Sequence, residues 1–370
     1  MPPINVLIKP ASGNCNLRCE YCFYFDTMSK RNHPTYGYMS EDILENTIKK
    51  VLEYAERECT IAYQGGEPTL AGLDFFKKSI QLQEHYNTKG VKIYNALQTN
   101  GYNINEEWAD FFVKNKFLVG VSLDGGPRFH DLYRKTASGN GSFEEVMKTV
   151  NLFKKKNVEF NILTVVNGRT APSIKKLYAF FKKYKLNYLQ FIACLDPLGE
   201  ENGNREYSLE PEVYGKFLIE LFDMWYEDLL KGEQPYIRQF ENYISILLGK
   251  EPESCDMRGE CGRQYVVEAD GSVYPCDFYV LDDYKLGNLN VNSIEELDVR
   301  RKELKFIEKS HVYPHECRVC KYFAVCRNGC RRTRDELTSK QYFCKANKIF
   351  FDACFERMFG IADKLKRYYR

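Results

Sequence analysis

Six short runs rich in β-branched and aromatic residues recur through the first 195 residues: Ile4–Ile8, Cys59–Gln64, Val91–Gln98, Phe117–Leu123, Val158–Val166 and Tyr188–Cys194. Their length and their bounding turn residues read as buried strands, and between them apolar positions return at helical spacing. The first helix expected opens at Ser40, an N-cap followed by Glu41 and Asp42, and sets Ile43, Leu44, Ile48, Val51, Leu52 and Ala55 on one side with charge on the other. Ser142-Phe-Glu-Glu145 has the spacing of a capping box and predicts a second helix running to about Lys156. Repeated strand–helix alternation predicts parallel strands with outer helices, an α/β fold built as a partial (β/α)6 barrel. Ligands in such folds collect at the carboxyl ends of the strands. Five segments sit just past an expected strand, namely Cys15–Cys22, Gln64–Glu67, Gln98–Asn100, Ser122–Asp124 and Cys194–Asp196, and would converge on one mouth.

After about residue 200 the alternation stops. Helical patterns over Pro211–Leu230 and Tyr236–Leu248 lead into a cysteine-rich, turn-rich stretch and a helical tail from about Lys345 to Lys366. This divides the chain into residues 1–235 and 236–370, without an internal repeat or a low-complexity linker. With 44% hydrophobic residues the 370-residue chain can bury real cores. A net charge of +2 supplies no general drive toward nucleic acid or an anionic membrane, so neither is expected as a partner, and a run such as Lys154-Lys155-Lys156 reads as a solvated helix face. The opening MPPINVLIKP lacks the pattern of an export signal, and no apolar stretch approaches the about 18 residues of a membrane span. The expected compartment is the cytoplasm, where thiols stay reduced and clustered cysteines serve metals more often than disulfides.

Eleven of the 14 cysteines form two groups. Cys15-x3-Cys19-x2-Cys22 offers three thiolates where an ordinary cubane needs four, leaving one iron open; a zinc site with a distant fourth ligand is the alternative. Cys255, Cys261, Cys276, Cys317, Cys320, Cys326, Cys330 and Cys344 suit two fully ligated cubanes, with a zinc ribbon over Cys317–Cys330 as the competing reading. Cys59, Cys194 and Cys354 fall in apolar patterns and read as small buried hydrophobes. In Gln64-Gly65-Gly66-Glu67-Pro68 the two glycines permit close backbone approach and Glu67 can accept from an ammonium group, although alone the motif is also a common turn.

The loop Cys15-Asn-Leu-Arg-Cys19-Glu-Tyr-Cys22 resembles the signature of the radical S-adenosylmethionine enzymes, and Gln64–Pro68 resembles their GGEP motif. That resemblance implies a [4Fe–4S] cluster on Cys15, Cys19 and Cys22, S-adenosyl-L-methionine on its open iron, and cleavage to a 5′-deoxyadenosyl radical. It carries a cofactor site onto Tyr21, Gly66, Glu67, Ser122, Arg134 and Leu195. The later cysteines resemble the SPASM extension. This implies two further [4Fe–4S] clusters, one on Cys255, Cys261, Cys276 and Cys330 and the other on Cys317, Cys320, Cys326 and Cys344, and so three clusters in all. Through IKPASGNCNLRCEYCFY, QGGEPTLAG, LQTNG, FIACLDPL and DGSVYPCDFYVL the chain is similar to the anaerobic sulfatase-maturating enzymes over nearly its whole length.

Members of that family oxidise a cysteine or serine in an unfolded sulfatase segment to Cα-formylglycine, which implies a sulfatase polypeptide as partner, an external electron donor such as flavodoxin or ferredoxin, and an anaerobic host. Asp277, directly after Cys276, matches the family's base, and Tyr24 and Gln64 are the candidates for holding the substrate backbone. Leu123-Asp124-Gly125-Gly126-Pro127 departs from the family pattern by an extra glycine-type spacing before the proline. Two other functions fit parts of the pattern. A SPASM peptide maturase forming crosslinks would be expected to carry an N-terminal peptide-binding domain, whereas here the first strand begins at residue 4. A non-catalytic iron–sulfur electron carrier would need neither an open iron nor the Gln64–Pro68 motif.

Overall fold

All six expected runs are strands in the computed structural model, which describes residues 3–368, so Met1 and Pro2 of the opening stretch lie outside the described residues. They are β1 (Ile4–Ile8), β2 (Glu58–Tyr63), β3 (Lys92–Thr99), β4 (Leu118–Ser122), β5 (Phe160–Val166) and β6 (Tyr188–Ala193). Four shorter strands follow: β7 (Tyr236–Ile237), β8 (Tyr265–Val267), β9 (Ser272–Tyr274) and β10 (Gly287–Asn288). Two compact units, each assembled from separate segments, cut across the boundary at residue 235.

The first unit comprises Met1–Leu123, His130–Asn161 and Arg263–Phe306. Its β1 to β4 are parallel in chain order, with Ile4 opposite Cys59 and Ile8 opposite Tyr63. On the other side of β1 lies β8, also parallel, with Val6 opposite Tyr265; β9 and β10 then run antiparallel. Val6, Ile8, Ile61, Tyr63 and Val121 are buried, as expected of strands covered on both faces. The Ser40 hydroxyl accepts from the Ile43 amide and caps helix Glu41–Tyr54, which buries Leu44, Ile48, Val51 and Leu52.

Two local expectations need correction. Helix Phe143–Lys156 forms, but Ser142 does not cap it through its side chain. The Ser142 hydroxyl instead donates to the Arg134 carbonyl at 2.7 Å, and the amides of Ser142 and Phe143 donate to Asp131 Oδ1 at 2.8 and 2.9 Å. An aspartate from outside the motif therefore does the capping. A helix at Phe23–Ser29, directly after Cys22, precedes the one expected to be first; it is seven residues long and buries only Tyr24 and Thr27, too few positions for a periodic signal.

The second unit comprises Asp124–Phe129, Ile162–Gly262 and Ile307–Arg370. Here β5, β6 and β7 are parallel, with Ile162 opposite Leu189 and Tyr188 opposite Tyr236. Helix Pro211–Leu230 begins and ends as the pattern predicts, whereas Tyr236 and Ile237 belong to β7 and the next helix is Arg238–Leu247. These two helices meet through Trp225 and Phe240, with ring centroids 5.1 Å apart, and pack on the tail helix Cys344–Tyr368 through Phe222 to Phe350 at 6.0 Å and Phe240 to Phe350 at 5.9 Å. Among the described residues no helix is long and apolar enough to cross a membrane.

Candidate active site

In the first unit the chain leaves β1 into the loop that carries three cysteines. Backbone bonds shape it: the Lys9 amide donates to Val267 O at 2.8 Å, Asn14 to Ala11 O at 2.8 Å, and Arg18 to Lys135 O at 2.7 Å. Cys22 forms the N-cap of helix Phe23–Ser29. The Cys15 sulfur accepts from the Leu17 amide at 3.4 Å and Asn100 Nδ2 at 3.7 Å, and Arg134 Nη1 stands 4.0 Å from Cys19 Sγ. Donors at sulfur favour the thiolate, whereas burial pushes the Cys15 thiol up to about 11. Bound iron would supply the positive charge that offsets this desolvation, so the donor set fits a cluster held by three thiolates.

Past β2, Gly65 and Gly66 take φ of +105° and +51°, conformations that glycine adopts without strain. Gly66 lies so close to the cysteine loop that a Cβ on it would fall 2.1 Å from Asn14 O, and the Glu67 amide donates to the same oxygen at 2.8 Å. Glu67 is fully buried. Its Oε1 accepts from the Thr69 amide at 3.1 Å, Thr69 Oγ1 at 2.7 Å and Thr99 Oγ1 at 2.9 Å, and its Oε2 accepts from the Asn100 amide at 2.7 Å. Burial raises its carboxyl above the ordinary range despite these four donors. The carboxylate is thus chiefly a brace tying the glycine turn to the end of β3, with acceptor capacity left on Oε2.

Of the other residues carried over as a cofactor site, Ser122 ends β4 and is buried. The Arg134 guanidinium lies 5.5 Å from the Tyr21 ring centroid, and Tyr21 meets Tyr133 edge-on at 5.7 Å. Leu195, half-buried just after β6, belongs to the second unit.

Asp277 follows Cys276 in a short turn after β9, within the first unit. Gln64 Nε2 donates to its Oδ2 at 2.9 Å, and Lys9 forms an ion pair with its Oδ1. Lys9 is wholly buried, with its ammonium 3.8 Å above the centre of the Tyr24 ring. The Tyr24 hydroxyl donates to Glu268, which also receives Arg31 Nη1 at 2.6 Å. Tyr24, expected to hold the substrate backbone, is 4% exposed, with its ring face against Lys9 and its hydroxyl on Glu268. Burial, followed by the charge of Glu268, holds the Tyr24 phenol well above its usual range, so it stays a neutral donor. Sequence reasoning missed Lys9, Arg31 and Glu268. A signal existed for two of them, since Lys9 and Glu268 are charged residues placed directly after apolar strands.

In the second unit Cys317, Cys320, Cys326 and Cys344 line one cavity together with Tyr322 and Gln341. Cys326 Sγ accepts from Gln341 Nε2 at 3.0 Å and from Asn347 Nδ2 at 3.5 Å. Burial, then the neighbouring Cys344, Cys326 and Cys320, push the Cys317 thiol up to about 11. Cys255, Cys261 and Cys330 form another group, in which burial and then Cys255 push Cys330 up to about 12. Cys276 belongs to the first unit. Among the described residues no three His, Cys, Asp or Glu side chains converge on a single-ion position. Four thiols spaced around a cavity fit the larger cubane. Cys59, Cys194 and Cys354 are buried.

Residues 10–181 match the model of the radical SAM superfamily and residues 255–321 that of an iron–sulfur cluster-binding domain called SPASM. The chain is 50% identical to the cysteine-type anaerobic sulfatase-maturating enzyme of Clostridium perfringens, over 99% of this chain and 100% of that protein. It is 44% identical to the cysteine-type enzyme of Clostridium novyi, over 99% of both chains, and 34% identical to the serine-type enzyme of Bacteroides thetaiotaomicron, over 94% of this chain and 89% of that one. A solved structure described as native anSMEcpe with bound AdoMet and Cp18Cys peptide matches with a TM-score of 0.94 at 49% identity, covering 98% of this chain and 100% of that one. The fold class is the α/β one expected, with radical SAM and SPASM domains.

Proposed function

The chain belongs to the anaerobic sulfatase-maturating enzymes, and on that premise we propose that it oxidises a cysteine of an unfolded sulfatase polypeptide to Cα-formylglycine by radical S-adenosylmethionine chemistry. The observation that carries this reading is that one compact unit holds both the three-thiol loop and the Gln64–Asp277 pair. Cysteine is favoured over serine because the cysteine-type relatives are 50% and 44% identical and the serine-type one 34%.

Cys15, Cys19 and Cys22 would hold the cubane that with S-adenosyl-L-methionine would supply the radical chemistry for Cβ hydrogen removal, and Cys255, Cys261, Cys276 and Cys330 and Cys317, Cys320, Cys326 and Cys344 would hold the auxiliary cubanes that would take up an electron. The chain's own residues do the rest. Tyr21, Gly66, Ser122, Arg134 and Leu195 line the cofactor, and Glu67 holds Gly66 against the cysteine loop while keeping one acceptor direction toward an ammonium group. Gln64 meets the substrate backbone. Asp277 takes the thiol proton, which requires hydrogen-bond reach to the departing hydrogen. Loss of one hydrogen atom, one proton and one electron converts –CH2–SH to –CH=S, and water then gives the aldehyde –CH=O with release of hydrogen sulfide. Radical generation belongs to residues 1–235 and electron removal to residues 236–370, with flavodoxin or ferredoxin as electron donor and the cytoplasm as site of action.

The test is mass spectrometry of a cysteine-containing sulfatase peptide incubated anaerobically with reconstituted enzyme, reductant and S-adenosyl-L-methionine. Formylglycine at the target position is expected. A thioether or carbon–carbon crosslink in its place overturns the assignment.

A further inference from the structure

Deepening the reading of Asp277 as the base, and resting on it, we infer that Lys9 is a positioning residue for that carboxylate and that Tyr24, Glu268 and Arg31 hold Lys9 from behind. Lys9 is 0% exposed, so it cannot touch a peptide and must act through a neighbour. Among the described residues its ion pair is with Asp277 Oδ1, while Gln64 Nε2 donates to Oδ2 at 2.9 Å. With one oxygen hydrogen-bonded and the other ion-paired, the carboxylate is restrained about its terminal torsion, which favours general-base geometry before substrate arrives.

The support beneath is built with alternating charge. The Lys9 ammonium rests 3.8 Å from the centre of the Tyr24 ring, a cation–π contact inside the protein where such contacts are strongest. Tyr24 is held by its hydroxyl bond to Glu268, and Glu268 by Arg31 Nη1 at 2.6 Å, with both side chains of that ion pair wholly buried. Each charge faces one of opposite sign or a ring face, which is what makes three buried charged groups tolerable beside the half-buried Asp277. Gly65 completes the seat. A Cβ there would fall 2.7 Å from Lys9 Cγ and 2.8 Å from Nζ, so the second residue of the Gln64–Pro68 motif is glycine partly to let the lysine stem pass.

The test compares Lys9→Met, Asp277→Asn and the double variant in the reconstituted holoenzyme, reading formylglycine formed per 5′-deoxyadenosine, with iron content, melting temperature and peptide affinity measured alongside. Lys9→Met should lower the ratio roughly 10- to 100-fold, the loss expected when a reacting group is displaced by about 1 Å. The double variant should be no worse than Asp277→Asn alone, because Lys9 works only through Asp277. Gly65→Ala should lower the ratio in the same direction, which keeps the idea testable if Lys9→Met loads clusters poorly. A wild-type ratio in Lys9→Met, or losses that multiply in the double variant, overturns the role of Lys9 while leaving Asp277 as the base. A wild-type ratio in Asp277→Asn instead removes the base itself, and the inference falls with it. A parallel fall of iron content, melting temperature and peptide affinity in Lys9→Met, with an unchanged ratio, assigns the lysine to stability alone.

Discussion

Gly66→Ala should be far more damaging than its single added methyl suggests. At φ of +51° any L-residue other than glycine pays about 1 kcal/mol of backbone strain. The added Cβ would also lie 2.1 Å from Asn14 O and 2.9 Å from Ser12 O, the first roughly 1 Å inside the 3.0 Å that real Cβ atoms respect. Both obstacles are backbone atoms, so no rotamer change relieves the overlap, and overpacking of this kind costs about 1–3 kcal/mol more. The sum is about 2–4 kcal/mol. Relief requires the cysteine loop and the glycine turn to part, which breaks the 2.8 Å bond from the Glu67 amide to Asn14 O and moves the residue preceding Cys15. Gly72→Ala is the control for backbone strain without overlap, since Gly72 has φ of +85° and ψ of +154°, a region essentially reserved to glycine, with nothing within 4 Å of its added Cβ. Thermal unfolding by circular dichroism, iron content, equilibrium binding of S-adenosyl-L-methionine and 5′-deoxyadenosine formation should be measured on both. Gly66→Ala should lose cofactor binding and at least 100-fold of cleavage, about what a 1 Å misplacement costs. If it melts together with Gly72→Ala and cleaves at the wild-type rate, the close approach does not position the loop.

Replacing Cys15, Cys19 and Cys22 together with alanine should lower the iron from about twelve to about eight per chain and abolish cofactor cleavage, read by iron assay and product analysis. Loss of all iron from that variant refutes three separate clusters. Asp131→Ala should destabilise by about 1 kcal/mol in urea titration, the worth of an N-cap, while Glu145→Ala should be near neutral because the capping box is not formed. Equal effects of the two would restore the box. Glu268→Gln leaves Arg31 as a buried unpaired charge and should cost about 3–5 kcal/mol, with Glu268→Gln/Arg31→Met recovering much of it in the same assay. A double variant as unstable as the single would show that the pair matters by packing instead of charge.

What could be read from the order of residues was whatever depends on near neighbours. The six strands begin and end within two residues of the apolar runs, and helix Pro211–Leu230 coincides with its pattern, because burial on a sheet or a helix stripe imposes a local period. The Cys15–Cys22 spacing was legible for the same reason: three ligands on one short loop need no partner from elsewhere to be recognised. Tertiary structure alone decided how charges are compensated. Gln64 meets Asp277 across 213 residues and Tyr24 meets Glu268 across 244, and no periodicity links positions so far apart. The Ser142 motif failed as a cap because the Arg134 carbonyl claimed its hydroxyl and Asp131 took the amides, a competition visible only once the chain has folded back. Lys9 and Glu268 could be seen as charges beside apolar strands. Which opposite charge would make each tolerable in the interior was set by the packing, since a buried ion is stable only where the fold brings its partner.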